Sequence, residues 1–202
     1  MRHELAYLLI GVLFCAACSL TSLQSPEVLP PGHTSVGLGL SYYPASYLPE
    51  GDLCFRHGIS SNIDMGAKIA VPALSISGDV KCQLLKNPLL MALDFGGSYG
   101  YAPPIPDETG GSGDIITAYP ELIVGNNRFY GALRPMIVYS IGHSAHPGGA
   151  QNSYADWFPQ VFAGGSFGHR FVVMPEVSLG FWRQDGSTYL LPGFGAAFQW
   201  RP

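Results

Sequence analysis

From Thr34 onward the chain alternates large apolar with small or polar residues at a period of two, and no stretch carries a convincing 3.6-residue repeat. Period two marks a strand whose two faces meet different surroundings. The pattern predicts ten strands, near 34–43, 52–59, 62–71, 78–86, 89–101, 114–125, 128–141, 156–167, 170–183 and 187–200. One face of each is large and apolar: Val36, Leu38, Leu40 and Tyr42 on the first, Met65, Ile69 and Val71 on the third, Leu133, Ile137 and Tyr139 on the seventh. The opposite face is mostly Gly, Ser and Ala, with a charge on most strands. A water-soluble sandwich would set Lys and Glu along that second face. Small residues suit a narrow, crowded lumen instead, which turns the large apolar face toward lipid.

The connections follow the same logic. Tight Gly- and Asn-containing turns (59–62, 86–88, 125–127, 168–169) alternate with longer loops (44–51, 72–77, 102–113, 142–155) until the short 184–186 link. Short turns at one end and longer loops at the other belong to up-and-down membrane barrels. Aromatic residues gather toward strand ends, at Tyr42, Tyr43, Tyr99, Tyr101, Tyr139, Trp157, Trp182 and Trp200, as interfacial girdles do. A loose repeat runs through the second half: Tyr119-Pro120-Glu121, Phe158-Pro159-Gln160 and Met174-Pro175-Glu176, with Arg134-Pro135-Met136 and Leu191-Pro192-Gly193 as looser copies. Each proline falls on the outward face and its polar neighbour on the inward one. Proline removes a ladder hydrogen bond and is normally kept off central strands; a local bulge is one way to relieve this. In the last strand Pro192, Phe194, Ala196, Phe198 and Trp200 alternate with Gly193, Gly195, Ala197 and Gln199.

Over residues 34–202 the chain resembles bacterial outer-membrane β-barrel proteins, and its last strand resembles their C-terminal insertion signal, although it ends in Arg201-Pro202 where a terminal Phe is usual. The resemblance implies a closed all-β antiparallel up-and-down transmembrane barrel of eight to ten strands. It implies membrane lipids and the outer-membrane assembly machinery as partners. Residues 1–17 read as a secretory signal peptide, with an apolar run from Leu5 to Ala17 too short to span a bilayer as a helix. Cys15-Ala16-Ala17-Cys18 resembles a bacterial lipobox, which implies an acylated Cys18 anchored at the periplasmic side. Residues 18–33, Ser- and Pro-rich without a period, read as a tether between that cysteine and the barrel domain, 34–202.

Composition narrows the function classes. Only 12% of the 202 residues are charged and the net charge is −4, which excludes a basic nucleic-acid footprint. Twenty-six Gly and 17 Pro exclude a helical bundle. In the strand register Arg56, Lys68, Lys81 and Arg134 face inward against Asp64, Asp79, Asp94, Glu121 and Glu176. Charges of both signs in so small a lumen form either a channel lining or a paired network that plugs it, since buried charges need partners. The plug is the expectation, with a structural role or narrow passage of small solutes. Cys54 faces inward and Cys82 outward on second-neighbour strands, about 10 Å apart by strand spacing. That exceeds the roughly 7 Å reach of a disulfide, so both are expected to be free. No catalytic residues, metal site or cofactor are assigned. Two other readings stay open: an outer-leaflet lipid-modifying enzyme using the 142–156 loop, with His143, His146 and Asp156, and a periplasmic soluble barrel or sandwich lipoprotein that binds an apolar ligand.

Overall fold

A computed structural model describes residues 23–42, 49–71, 74–102, 112–142, 152–184 and 187–202. Ten antiparallel strands close into one barrel: β1 (Thr34–Tyr42), β2 (Pro49–Ser60), β3 (Ile63–Val71), β4 (Ser75–Leu85), β5 (Leu90–Ala102), β6 (Gly113–Gly125), β7 (Phe129–Gly142), β8 (Asn152–Gly165), β9 (Phe171–Gln184) and β10 (Ser187–Trp200). Each strand pairs with its sequence neighbours, and β1 closes on β10 from Val36–Trp200 to Tyr42–Phe194. Thr34, Trp200 and the tight turns share one mouth, and the longer connections share the other.

The face assignment follows the alternation residue by residue. Leu38 is 64% exposed while its neighbours Gly37 and Gly39 face inward. Every strand adds large apolar residues to the exterior, among them Phe55, Phe95, Leu133, Trp157 and Phe194. The only Lys, Arg, Asp or Glu at an outward strand position are Asp114 and Arg183, both near the long-loop mouth. A continuous apolar exterior far exceeds the patches a water-facing surface tolerates, whereas lipid requires one. Cys54 and Cys82 are both free cysteines.

The prolines do not produce bulges. Pro120 faces Pro135, and the β6–β7 ladder lapses between the Ala118–Ile137 and Leu122–Leu133 pairs, then resumes in the same register. Neither proline can give that rung an N–H, so interruption replaces insertion there, while the β7–β8 ladder runs on unbroken past its own proline pair. Pro135 in turn faces Pro159, which sets three prolines in a row across β6, β7 and β8. Trp182, one of the strand-end aromatics, points inward as the alternation of its strand sets it and packs in the lumen. Its even register position on β9 is that of Glu176 and Ser178.

Candidate functional site

The lumen is the candidate site, and the segment expected as a tether occupies part of it. Residues 23–29 lie largely buried inside the barrel wall and 30–33 are exposed at its short-turn mouth, so this part of the segment packs on the barrel instead of hanging from it. Leu23 is 2% exposed, packs with Val172, Met174 and Ala197, and donates its N–H to Glu176 Oε2 at 3.0 Å. Arg56 Nη1 donates to Gln24 Oε1 at 3.0 Å. Lys81 Nζ donates to the carbonyl oxygens of Ser25 and Glu27, at 3.0 and 2.8 Å. Leu29 N–H donates to Asp64 Oδ2 at 3.0 Å. At the short-turn mouth the Gly32 N–H meets the Gly58 carbonyl and the Gly58 N–H meets that of His33. The wall is shaped around this segment: a Cβ on Gly39 would stand 2.9 Å from Leu23 Cδ1, and one on Gly58 would overlap the carbonyl oxygens of Leu29 and Pro30. An irregular, Pro-containing strip has no ladder to satisfy its backbone. Here the lumenal charges satisfy it.

The inward charges form two groups. In the β2–β5 wall, Arg56 pairs with Asp79 and, at 3.2 Å, with Asp64; Lys81 Nζ lies 3.5 Å from Asp64 and Lys68 Nζ 4.0 Å from Asp52. Asp94 faces this group from β5 in the field of Arg56 and Lys81, and its oxygens accept no hydrogen bond among the described residues. In the β6–β9 wall Arg134 holds Glu121 by Nε and Nη2, at 3.1 and 2.7 Å. Its guanidinium is sandwiched between the rings of Tyr119 and Phe162, 4.4 and 4.7 Å away, an arrangement that favours a desolvated cation. Glu176 accepts from the Tyr130 hydroxyl as well as from Leu23. All nine charges that alternation turns inward (Arg56, Asp64, Lys68, Asp79, Lys81, Asp94, Glu121, Arg134 and Glu176) therefore face one lumen. Glu50 and Asp52, buried on β2, belong to the same lining; Asp52 shares the inward parity of Cys54 and Arg56, and Glu50 lies outside the strand as drawn from sequence.

Sequence reasoning also missed an apolar interior on β6–β10. Ile123, Tyr130, Ala132 and Phe162 form a layer near the short-turn mouth. Ile115, Met136 and Phe158 form another toward the long-loop mouth, with Tyr119, Val138, Trp182 and Leu191 packed on it. The polar belt of Glu121, Arg134 and Gln160 runs between them. Between segment 23–33 and the wall lies a cavity of about 40 Å³ bordered by Leu23, Gln24, Cys54, Arg56, Lys68 and Arg134, room for a few water molecules; a larger one of about 220 Å³ lies at the short-turn mouth beside Glu27, Leu29, His33, Thr34 and Arg201.

Asp156, the acid nearest the expected enzyme loop, accepts from Trp182 Nε1 and the Tyr154 hydroxyl through Oδ2 and from the Trp157 N–H through Oδ1. His143, His146 and Cys18 lie outside the described residues. At the short-turn mouth burial pushes the Arg201 guanidinium below its ordinary range, against the pull of Glu27 at 3.7 Å.

Similarity to known proteins lies at the level of fold. No protein-family model matches the chain, and no curated protein matches it in sequence. Among solved structures it is similar to the outer membrane protease OmpT of Escherichia coli, at 10% identity and TM-score 0.43, covering 88% of this chain and 98% of that one. It is similar to the N-terminal β-barrel domain of Pseudomonas aeruginosa OprF, at 8% identity and TM-score 0.34, covering 85% and 100%. Neisserial surface protein A aligns at 10% identity and TM-score 0.34, covering 84% and 93%.

Proposed function

We propose that this chain is an integral bacterial outer-membrane β-barrel lipoprotein whose lumen is closed by its own residues 23–33, with a structural, non-enzymatic role. The carrying observation is the insertion of that segment, held in the lumen by Arg56, Lys81, Asp64 and Glu176. Location in a membrane rests on the apolar exterior, whose strand positions carry charge only at Asp114 and Arg183 near one mouth among the described residues, and which water would not support. Acylation at Cys18 rests on Cys15-Ala16-Ala17-Cys18, and it makes membrane lipids the first partner; the alternating last strand makes the assembly machinery the second.

The test is conductance in planar bilayers. The mature protein is expected to show no single-channel steps, and the same protein lacking residues 23–33 is expected to show them. Steady conductance by the intact chain would overturn the closed-lumen reading and favour solute passage. Mass spectrometry of the mature chain tests the anchor: a diacylglyceryl-bearing Cys18 at the N-terminus is expected, and a free N-terminus elsewhere refutes it.

A further inference from the structure

The short-turn mouth is the basic end of the barrel: Lys86, Arg128, His169, Arg170 and Arg201 lie on its turns and strand ends. Its one exposed acid among the described residues, Glu27, lies 3.7 Å from Arg201. Arg128 and Arg170 are exposed and enter no ion pair among the described residues. The turn that joins them is built, not loose. Ser166 N–H donates to the Arg128 carbonyl at 2.8 Å, Phe167 and Val173 exchange backbone hydrogen bonds at 3.0 and 2.9 Å, and Arg201 N–H donates to the Arg170 carbonyl at 2.8 Å. Gly168 reverses the chain between them at φ 111°, a conformation that favours glycine.

The same turn assembles an aromatic surface on the lipid side. Phe167 stands edge-on to Phe129 with ring centroids 5.8 Å apart, and Phe171 stacks on Phe198 at 5.7 Å. With Trp200 these rings are 44–59% exposed on the exterior. On β3–β6 the same end carries Met65, Leu84, Leu89 and Leu122 instead. A girdle that only marked the interface would run round the barrel; this one is confined to the β7–β10 sector, where the two arginines are. Guanidinium takes phosphate by paired N–H bonds, and exposed rings beside it suit acyl chains. A soluble acidic partner would meet the arginines and leave the rings unused. We propose that the β7–β10 sector of the short-turn mouth binds an anionic phospholipid, its phosphate held by Arg128 and Arg170 and its acyl chains on Phe129, Phe167 and Phe171. The site rests on the membrane reading of the exterior and is independent of the closed lumen.

Trp200 lies in this sector, paired with Phe171 across β9 and β10, and Trp157 faces outward on β8 toward the long-loop mouth. One protein carries Trp157→Phe and reports from Trp200; the other carries Trp200→Phe and reports from Trp157. Trp182, which faces the lumen, stays in both as a common background. Both are folded into vesicles of one phosphatidylcholine–phosphatidylglycerol composition, with bromine either on the phosphatidylglycerol chains or on the chains of an equal number of phosphatidylcholine molecules. Quenching of Trp200 is expected to report roughly fivefold higher occupancy by phosphatidylglycerol, the gain that one arginine near an anionic headgroup supplies. At Trp157 the two lipids are expected to quench alike. Arg128→Gln with Arg170→Gln should abolish the excess at Trp200 with the heat-modifiable band intact; if that band is lost, the two single variants take its place, each lowering the excess. Equal quenching of Trp200 by both lipids, the same excess at Trp157, or an excess that survives the arginine variants overturns the site while leaving the barrel in the membrane. No quenching of either tryptophan by any brominated lipid overturns the membrane reading and the site with it.

Discussion

On β1–β5 the inward side chains are largely Gly, Ser and the charges Asp52, Arg56, Asp64, Lys68, Asp79, Lys81 and Asp94, and segment 23–33 lies against them. On β6–β10 the inward side chains are largely apolar: Ile115, Met136 and Phe158 pack in one layer and Ile123, Tyr130, Ala132 and Phe162 in another, while Val172, Met174 and Ala197 take only the tip of the segment, Leu23. The first half makes space and fills it with a strip of chain held by polar contacts. The second half fills itself. The two halves should therefore fail differently: damage to the second lowers stability, and damage to the first opens the lumen.

The largest effect is expected where the second half buries charge. Arg134 and Glu121 are 3% and 0% exposed and bonded at 2.7 Å. Arg134→Met strands the carboxylate, and breaking one partner of such a pair costs about 3–5 kcal/mol. The temperature at which the folded band disappears in heated SDS samples should fall steeply. Adding Glu121→Gln should recover most of that loss, because the uncompensated charge goes with it. An unchanged melting temperature with altered conductance in Arg134→Met would mean that the residue lines a passage, and the contrast between the halves would collapse.

A matched pair of truncations sharpens the contrast. Ile123 is fully buried in the lower apolar layer, and Ile123→Ala should cost about 2–4 kcal/mol by loss of contacts and cavity formation. Ser77 faces the lumen from β4 beside the small cavity, and Ser77→Ala should stay within about 0.5 kcal/mol. Both are read from the same heat-modifiability curve. Equal losses would show that the two halves are packed alike.

The strands and their two faces were legible because membrane barrels write them as alternation. Leu38 against Gly37 or Val177 against Glu176 needs no tertiary knowledge once the exterior is lipid. The lumen was legible in part: alternation places Arg56, Lys81 and Glu121 inside, but it does not say whom they hold. Lys81 bonds the carbonyls of Ser25 and Glu27, partners that carry no periodic signal because an inserted irregular strip has none. The apolar layers escaped for a related reason. Phe158, Met136 and Ile115 stand at inward positions among polar neighbours, and only the ring of facing strands brings them together. The clearest overlooked hint was size, since Gly37, Gly39 and Ser41 on β1 leave a volume that something must fill.

The smallest expected effect tests that volume directly. Gly58 faces the lumen on β2, exchanges hydrogen bonds with Gly32 and His33, and has the carbonyl oxygens of Leu29 and Pro30 where a methyl group would stand. Its backbone is extended, so alanine itself brings no strain to β2, and Gly58→Ala should leave the barrel within about 0.5 kcal/mol. The methyl must instead displace segment 23–33 at the short-turn mouth. Cys54, which borders the cavity between that segment and the wall, reports the displacement once Cys82 is replaced by Ala. Labelling of Cys54 by a small water-soluble maleimide should be slow in the parent and faster in Gly58→Ala, with the heat-modifiable band unchanged. A faster label with an intact barrel is the signature of a half that is closed by an inserted strip; an unchanged rate would mean that the strip does not seal it.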